Sequence, residues 1–322
     1  MTGEPSITRK TSSTPLKGVV IGAGHFGRFH AQKLAEHPAV DFRAVIDLDA
    51  ERGQAVASDA GVPWHPDLES LGEDLDLVTV ATPAKTHARI AISCLKQGLH
   101  VFVEKPIATT VEDAEAMVAA AASANRILQI DHQERYFLEE IGLFENPAST
   151  VRSLQVRRLG PPPPRPSDCS AVMDLTIHDL DWIHAWLGTP AQLQEAQGSR
   201  VDSAFIETMM ARFSFPGERH VEIETSRVHP DRCRDAIIET ESGSIHVDFV
   251  GRTSSQGLPN SAEKGKELYG LHPFAESDYV GKSIAHFIHC IHQGHTPKVD
   301  GNAGLMALKT TLHLDDYLEK HV

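Results

Sequence analysis

The residues with the clearest capacity for chemistry fall in three places. Gly22-Ala23-Gly24-His25-Phe26-Gly27 fits G-x-G-x-x-G, and Asp47 lies 20 residues beyond Gly27. Lys105 stands between Glu104 and Pro106. Asp174 and His178 are four residues apart in an apolar stretch that also holds Asp179 and Asp181.

The glycine pattern suits a phosphate. Gly22 permits a tight turn, and Gly24 lets the backbone approach a pyrophosphate. Gly27 lets a following helix pack on the preceding strand, while the first-turn N–H groups, from His25 and Phe26 onwards, and the helix dipole hold the anion. Asp47 is spaced to accept hydrogen bonds from ribose hydroxyls. Its charge repels a 2′-phosphate, which favours NAD over NADP as cofactor. Arg52 nearby weighs the other way. The competing reading is a glycine-rich turn in another kind of α/β protein.

Pro106 restricts Lys105 to an extended backbone, aiming its side chain across a cleft. A lysine beside a carboxylate and a nicotinamide orients a substrate hydroxyl and stabilises a developing alkoxide. The plain alternative is a surface lysine at a strand end. Four residues apart, Asp174 and His178 share one helix face. A carboxylate there fixes the imidazole tautomer and suits it to remove a hydroxyl proton. Asp179 or Asp181 could equally be the partner or a cap, and the pair could simply be a helix-start acid near an exposed histidine. His286, His289, His292 and His295 recur every third residue, but they drift round a helix and no cysteine or carboxylate completes a tetrahedron. A solvated helix face is favoured over a metal site.

The elements that must position these groups are legible from apolar runs and turn residues. Gly18 to Ile21, Phe42 to Ile46, Asp76 to Ala81, His100 to Val103 and Ile127 to Ile130 read as buried strands. Helices alternate with them: about Phe26 to Glu36, Asp49 to Ala60, Thr86 to Gln97 and Val111 to Ala124. This is an α/β class chain whose N-terminal half predicts a Rossmann, doubly wound parallel sheet. Ligands in such sheets bind at the carboxyl ends of the strands. Gly22, Asp47, Thr82-Pro83, Glu104-Lys105-Pro106 and Asp131-His132 all fall at such ends, so they are expected to line one crevice.

Beyond Asp131 the pattern becomes a C-terminal α+β domain with a mostly antiparallel open sheet. Val151 to Leu159, Val201 to Phe215, Arg219 to Val228, Asp235 to Thr240 and Ser244 to Val250 read as strands. Phe215-Pro216-Gly217-Glu218 and Glu241-Ser242-Gly243 read as hairpin turns. Helices are expected at about Met173 to Leu187, Ser277 to Gln293 and Ala303 to Glu319, the last packing back on the first domain. Pro161 to Pro164 reads as a stiff polyproline loop, and Arg252 to Pro273 as a mobile one. The resulting division is a disordered tail over 1–15, an NAD-binding domain over 16–131 and a substrate-binding and oligomerisation domain over 132–322.

At 322 residues and 41% hydrophobic, the chain is long enough for two cores. A net charge of −14 argues against a nucleic-acid footprint. The tail lacks the apolar run of a signal peptide, and no apolar run has the length to span a bilayer, so a cytoplasmic, membrane-free protein is expected. Cys94, Cys169, Cys233 and Cys290 are scattered, as reduced thiols rather than a zinc or disulfide framework. No lysine occurs between Lys105 and Lys264, an interval rich in arginine. Arginine forks suit phosphates and carboxylates, although codon bias would give the same pattern.

Together, the glycine turn, Glu104-Lys105-Pro106-Ile107-Ala108 and Asp174-x-x-x-His178-Asp179-x-Asp181 resemble the Gfo/Idh/MocA oxidoreductases over nearly the whole chain after the tail. That resemblance implies a catalytic set of Lys105, Asp174 and His178, with Thr82, Pro83, His87, Glu104 and Lys105 lining the cofactor. It also implies a homo-oligomer, a dimer or tetramer, built through the open face of the second sheet. His132-Gln133-Glu134-Arg135-Tyr136, Arg158-Leu159-Gly160-Pro161 with the Arg165 segment, and Thr225-Ser226-Arg227-Val228 resemble more narrowly the bacterial UDP-N-acetylglucosamine 3-dehydrogenases. The chain departs from that pattern at Asp131 and at Tyr136-Phe137. This likeness implies oxidation of a UDP-sugar at C3, with the product passed to a PLP aminotransferase in lipid A biosynthesis. Arg135, Arg158, Arg165 and Arg227 would contact substrate, and Arg232 and Arg234 join Arg158, Arg165 and Arg227 as candidates for the diphosphate. The alternatives are an inositol-type dehydrogenase of a free polyol or sugar, and a non-catalytic NAD-binding regulator.

Overall fold

The computed structural model describes residues 14–71, 74–162, 169–201, 203–257 and 277–322. Short apolar runs become buried parallel strands, because only a strand covered on both faces can be apolar throughout. They are β1 (Leu16–Ile21), β2 (Val40–Ile46), β3 (Trp64–His65), β4 (Leu77–Val80), β5 (His100–Val103) and β6 (Leu128–Ile130). Their order, β3-β2-β1-β4-β5-β6, is that of a dinucleotide-binding sheet, reversing direction between β1 and β4. Between them run α1 (His25–Glu36), α2 (Ala50–Ala60), α3 (His87–Lys96) and α4 (Val111–Ala124). Asp49 caps α2 by accepting the Arg52 N–H, and Gly61 closes it in the left-handed conformation.

The chain forms two compact units that interleave in sequence. The first comprises residues 1–104, 116–129 and 280–300; the second comprises 105–115, 130–279 and 301–322. In the first, Ile284, Phe287 and Ile288 of α7 (Tyr279–Gln293) share one core with Val20, Leu34 and Phe102. The Phe102 and Phe287 rings meet edge to face at 5.5 Å.

The second unit holds a seven-stranded sheet ordered β13-β12-β11-β7-β10-β9-β8. These strands are β7 (Val151–Leu159), β8 (Gln192–Ser199), β9 (Thr208–Phe215), β10 (Arg219–Ser226), β11 (Cys233–Thr240), β12 (Gly243–Asp248) and β13 (Thr253–Gly257). Every neighbouring pair is antiparallel except β7 and β10. Gly217 and Gly243 take positive φ in the two expected hairpin turns. Helix α5 (Glu134–Glu140), a π-turn (Val172–Thr176) running into α6 (Ile177–Leu187), and α8 (Gly301–His321) complete the unit. A Cβ on Gly304 would meet Ile130 at 2.7 Å, so this glycine lets α8 approach closely.

Several expectations are corrected. The last helix meets residues of the expected first domain, Gly304 lying against Ile130 and Lys309 pairing with Glu115, but these belong with it to the second unit, where it also packs on α6; it is α7 that joins the first unit. The single strand expected over Val201 to Phe215 is β9 alone, with β8 formed upstream. Strand β13 occupies the start of the stretch expected to be a mobile loop, and α5 was not anticipated. The rest of that loop, Arg165 and most of the tail lie outside the described residues. None of the four cysteines, all of them described, is in a disulfide. Among the described residues no helix is long and apolar enough to cross a membrane.

Candidate active site

In the first unit the glycine turn joins β1 to α1. Gly22 has φ +102°, and a Cβ there would meet the Ala81 carbonyl oxygen at 2.4 Å. A Cβ on Gly27 would meet the Gly22 carbonyl at 1.8 Å, so both positions require glycine. Around Gly24, by contrast, the space beside the backbone is open. Gly24 is the N-cap of α1 and no side chain caps the helix. The first-turn N–H groups therefore face an open approach, as a pyrophosphate requires. His25 and Phe26 flank it, and Phe26 is 48% exposed.

Asp47 closes the turn from the end of β2. Its carboxylate accepts N–H groups of Ala23 at 2.6 Å and Asp49 at 2.8 Å, and the Arg52 fork at 2.7 and 3.3 Å. Burial would raise the Asp47 carboxyl, but Arg52 and the two backbone donors hold it below its ordinary value. The Arg52 side chain is 51% exposed, so it is free to leave Asp47 when a ribose diol competes. The open cradle at Gly24 and the acid tied to the turn fit a dinucleotide.

In the second unit Lys105 donates from Nζ to the Asp174 carbonyl at 2.8 Å and to Asp174 Oδ1 at 3.0 Å. Burial would raise the Asp174 carboxyl, and the Lys105 ammonium holds it low. The π-turn supplies this arrangement, presenting the carbonyl of Asp174 to the lysine; such turns recur at functional sites. His178 meets Glu134, with Nδ1 3.1 Å from Oε2. Glu134 also accepts Arg158 Nη1 at 3.2 Å. Burial would raise Glu134, but His178 and Arg158 drive it well below the ordinary carboxylate value. A half-buried imidazole oriented by a charged carboxylate, beside an ammonium held by another, can accept a proton and steady an oxyanion.

A model of the oxidoreductase family with an NAD-binding Rossmann fold, GFO_IDH_MocA, matches residues 16–132. The UDP-N-acetylglucosamine 3-dehydrogenase of Acidithiobacillus ferrooxidans is 28% identical over 309 residues, 92% of this chain and 95% of that protein. Its solved structure aligns with a TM-score of 0.85, covering 95% of this chain and 98% of the other. The inositol 2-dehydrogenase of Rubrobacter xylanophilus is 30% identical over 253 residues, 74% of this chain and 70% of that protein. The chain belongs to the Gfo/Idh/MocA oxidoreductases. It is an NAD-dependent oxidoreductase acting on a CH–OH group.

Within this Gfo/Idh/MocA chain several predicted site residues take other roles. Asp174 does not orient His178; its carboxylate serves Lys105, and Glu134 holds the imidazole. His87 does not expose its ring to a cofactor. It is 1% exposed, with Nε2 2.8 Å from the Thr82 carbonyl, and so fixes the Thr82-Pro83 turn, which Thr86 also grips. Glu104 pairs with His30 of α1 at 2.6 Å, both buried. Three of the five described arginines named for substrate or diphosphate contact are committed internally. Arg135 forks onto Asp181 with both contacts at 2.7 Å, Arg158 onto Asp179 likewise, and Arg227 onto Glu207 at 2.5 and 3.2 Å. The other two, Arg232 and Arg234, form no ion pair among the described residues. The recurring histidines in and just after α7 are mostly solvated: His289, His292 and His295 are exposed, while His286 accepts the Lys298 N–H.

Sequence reasoning named no role for Glu134, and gave His132 only a place beside Asp131 in the expected crevice. Glu134 stood in a quoted motif but is 44 residues from His178, beyond any local pattern. His132 follows β6, is wholly buried, and neither ring nitrogen has a hydrogen-bond partner among the described residues. Its ring lies 6.0 Å from that of His178, and burial pushes it down to about 4.

Proposed function

We propose that this oxidoreductase oxidises the C3 hydroxyl of a nucleotide sugar, UDP-N-acetylglucosamine, to the 3-keto sugar. The observation that carries the chemistry is the pairing of Glu134 with His178 beside that of Asp174 with Lys105. With Nδ1–H donating to Glu134, Nε2 of His178 carries the lone pair that takes the hydroxyl proton. Lys105, positioned by Asp174, steadies the oxygen as the carbonyl forms. Bound NAD supplies the two-electron acceptor for the hydride that leaves the same carbon. The full-length likeness to the Acidithiobacillus enzyme supports the nucleotide sugar as substrate. A labile 3-keto sugar calls for a following amine-transfer step, the chemistry of a PLP aminotransferase, as in 2,3-diamino lipid A assembly.

A second reading, oxidation of a neutral polyol such as an inositol, draws on one observation. Arg135, Arg158 and Arg227 are spent on internal carboxylates, which leaves only Arg232 and Arg234 of the described arginines named for a diphosphate. NADH formation with UDP-N-acetylglucosamine against myo-inositol, with glutamate and an aminotransferase present to remove ketone, separates the two. H178N and K105M are expected to cut turnover by about 10²–10⁴-fold while NAD affinity is unchanged. Near wild-type rates in either variant remove the assigned role.

A further inference from the structure

The strand register of the second sheet sets Met209, Thr225, Arg158 and Arg234 in one row across β9, β10, β7 and β11. Directly opposed residues on neighbouring strands point to the same face. On that face Thr225 meets Thr176 of the π-turn at 2.9 Å, and Arg158 meets Asp179 and Glu134. The row is therefore tied both to the turn that carries Asp174 and to the carboxylate that orients His178.

Arg234 is the exception in this row. It is half-buried, opposite the cation of Arg158, and its guanidinium has no acceptor among the described residues. Like charges directly opposed are destabilising. Arg158 holds close ion pairs with Glu134 and Asp179; Arg234 feels the same two carboxylates only at longer range, with no hydrogen bond to either. Burial first, and the neighbouring Arg158 second, hold Arg234 below the ordinary arginine value, and Arg232 adds to the same positive field. Arg232 is exposed and also unpaired among the described residues. A partly desolvated guanidinium kept without a hydrogen-bonded acceptor is a cost that a ligand's anion would remove.

We propose that Arg234, with Arg232 at the rim, receives the phosphoryl anion of a nucleotide-sugar substrate and is the residue by which this chain tells such substrates from neutral polyols. The planar fork matches phosphoryl oxygens in a way that a point charge does not. This assignment rests on the nucleotide-sugar reading above and narrows its anion contact to one strand position that no internal carboxylate claims.

The test compares wild type, R234Q, R234K and, as a charge control, R152Q at an exposed site near the other end of β7. Each is saturated with NAD, so that the cofactor's phosphate cradle is filled. Isothermal titration with UDP, and separately with inorganic pyrophosphate, is run beside kinetics on UDP-N-acetylglucosamine. R234Q is expected to weaken UDP binding and raise KM for the sugar nucleotide by about 10–100-fold, with kcat changed far less. R234K recovers part of the loss, and R152Q matches wild type. The melting temperature of R234Q without substrate should hold or rise, because the opposed pair of cations is relieved. Unchanged UDP affinity in R234Q overturns the proposal, as does a marked fall in its melting temperature, which would make Arg234 structural. Arg234-dependent UDP binding without oxidation of UDP-N-acetylglucosamine would leave the anion site standing and refute the substrate. Oxidation with an unaltered KM in R234Q would do the reverse.

Discussion

At the scale of single residues the decisive feature is the exchange of partners around His178. Spacing alone places Asp174 beside it, yet the carboxylate that meets Nδ1 comes from Glu134 on another helix. The two acids therefore have separable duties. E134Q removes the charge opposite the imidazole and its tautomer preference, and is expected to lower kcat by about 10²–10⁴-fold with NAD affinity intact. D174N acts instead through Lys105, loosening the ammonium. Steady-state kinetics of the two variants decide the matter, because a near-silent E134Q beside a dead D174N would restore Asp174 as the orienting group. Residue types were legible in the sequence; partnerships were not. Gly22, Gly24, Gly27 and Asp47 could be assigned early because one local turn imposes their roles. Glu134, Asp179 and Asp181 acquire theirs from tertiary packing, which also converts Arg135 and Arg158 from ligand candidates into structural cations.

At the scale of elements, α6 serves as a clamp. Asp179 and Asp181, two apart, each hold a buried arginine, one on β7 and one on α5. Arg158 is 3% exposed and Asp179 1%, so breaking their pair leaves a charge in a poorly solvated place. D179N is expected to cost on the order of 3 kcal/mol, read as a lower urea midpoint with an unchanged slope. A midpoint within error of wild type would show that Glu134 alone satisfies Arg158. The elements that sequence reasoning missed share a physical reason. Thr253 to Gly257 is polar and at a sheet edge, without apolar alternation. The seven residues of α5 are too few to show a helical period. The π-turn before α6 keeps the apolar pattern of a helix while changing its hydrogen bonding, so only coordinates reveal it.

At the scale of the whole molecule, buried histidines set the acid side of stability. Burial pushes His100, His132 and His184 down to about 4. In the unfolded chain they titrate near 6.5, so between about pH 6.5 and 4 the unfolded state binds more protons. Stability falls as pH drops through that window. Asp174, Glu134 and Asp235 are held low by cationic partners, and their contribution is lost only further down, as pH falls below about 4. Thermal melts from pH 8 to 5 should therefore decline by several degrees before any carboxylate titrates; a flat profile over that range would contradict the assignment.

The interleaving of the two units has a practical corollary for dissection of this protein. A fragment ending near residue 131 contains every strand of the nucleotide sheet and the whole glycine turn, yet it lacks α7, whose Ile284, Phe287 and Ile288 complete the core beside Phe102. Such a piece would leave that aromatic ring facing solvent and self-associate rather than dissolve as a minimal module. Expression of the cofactor-binding half alone calls for residues 280–300 to be grafted back by a linker.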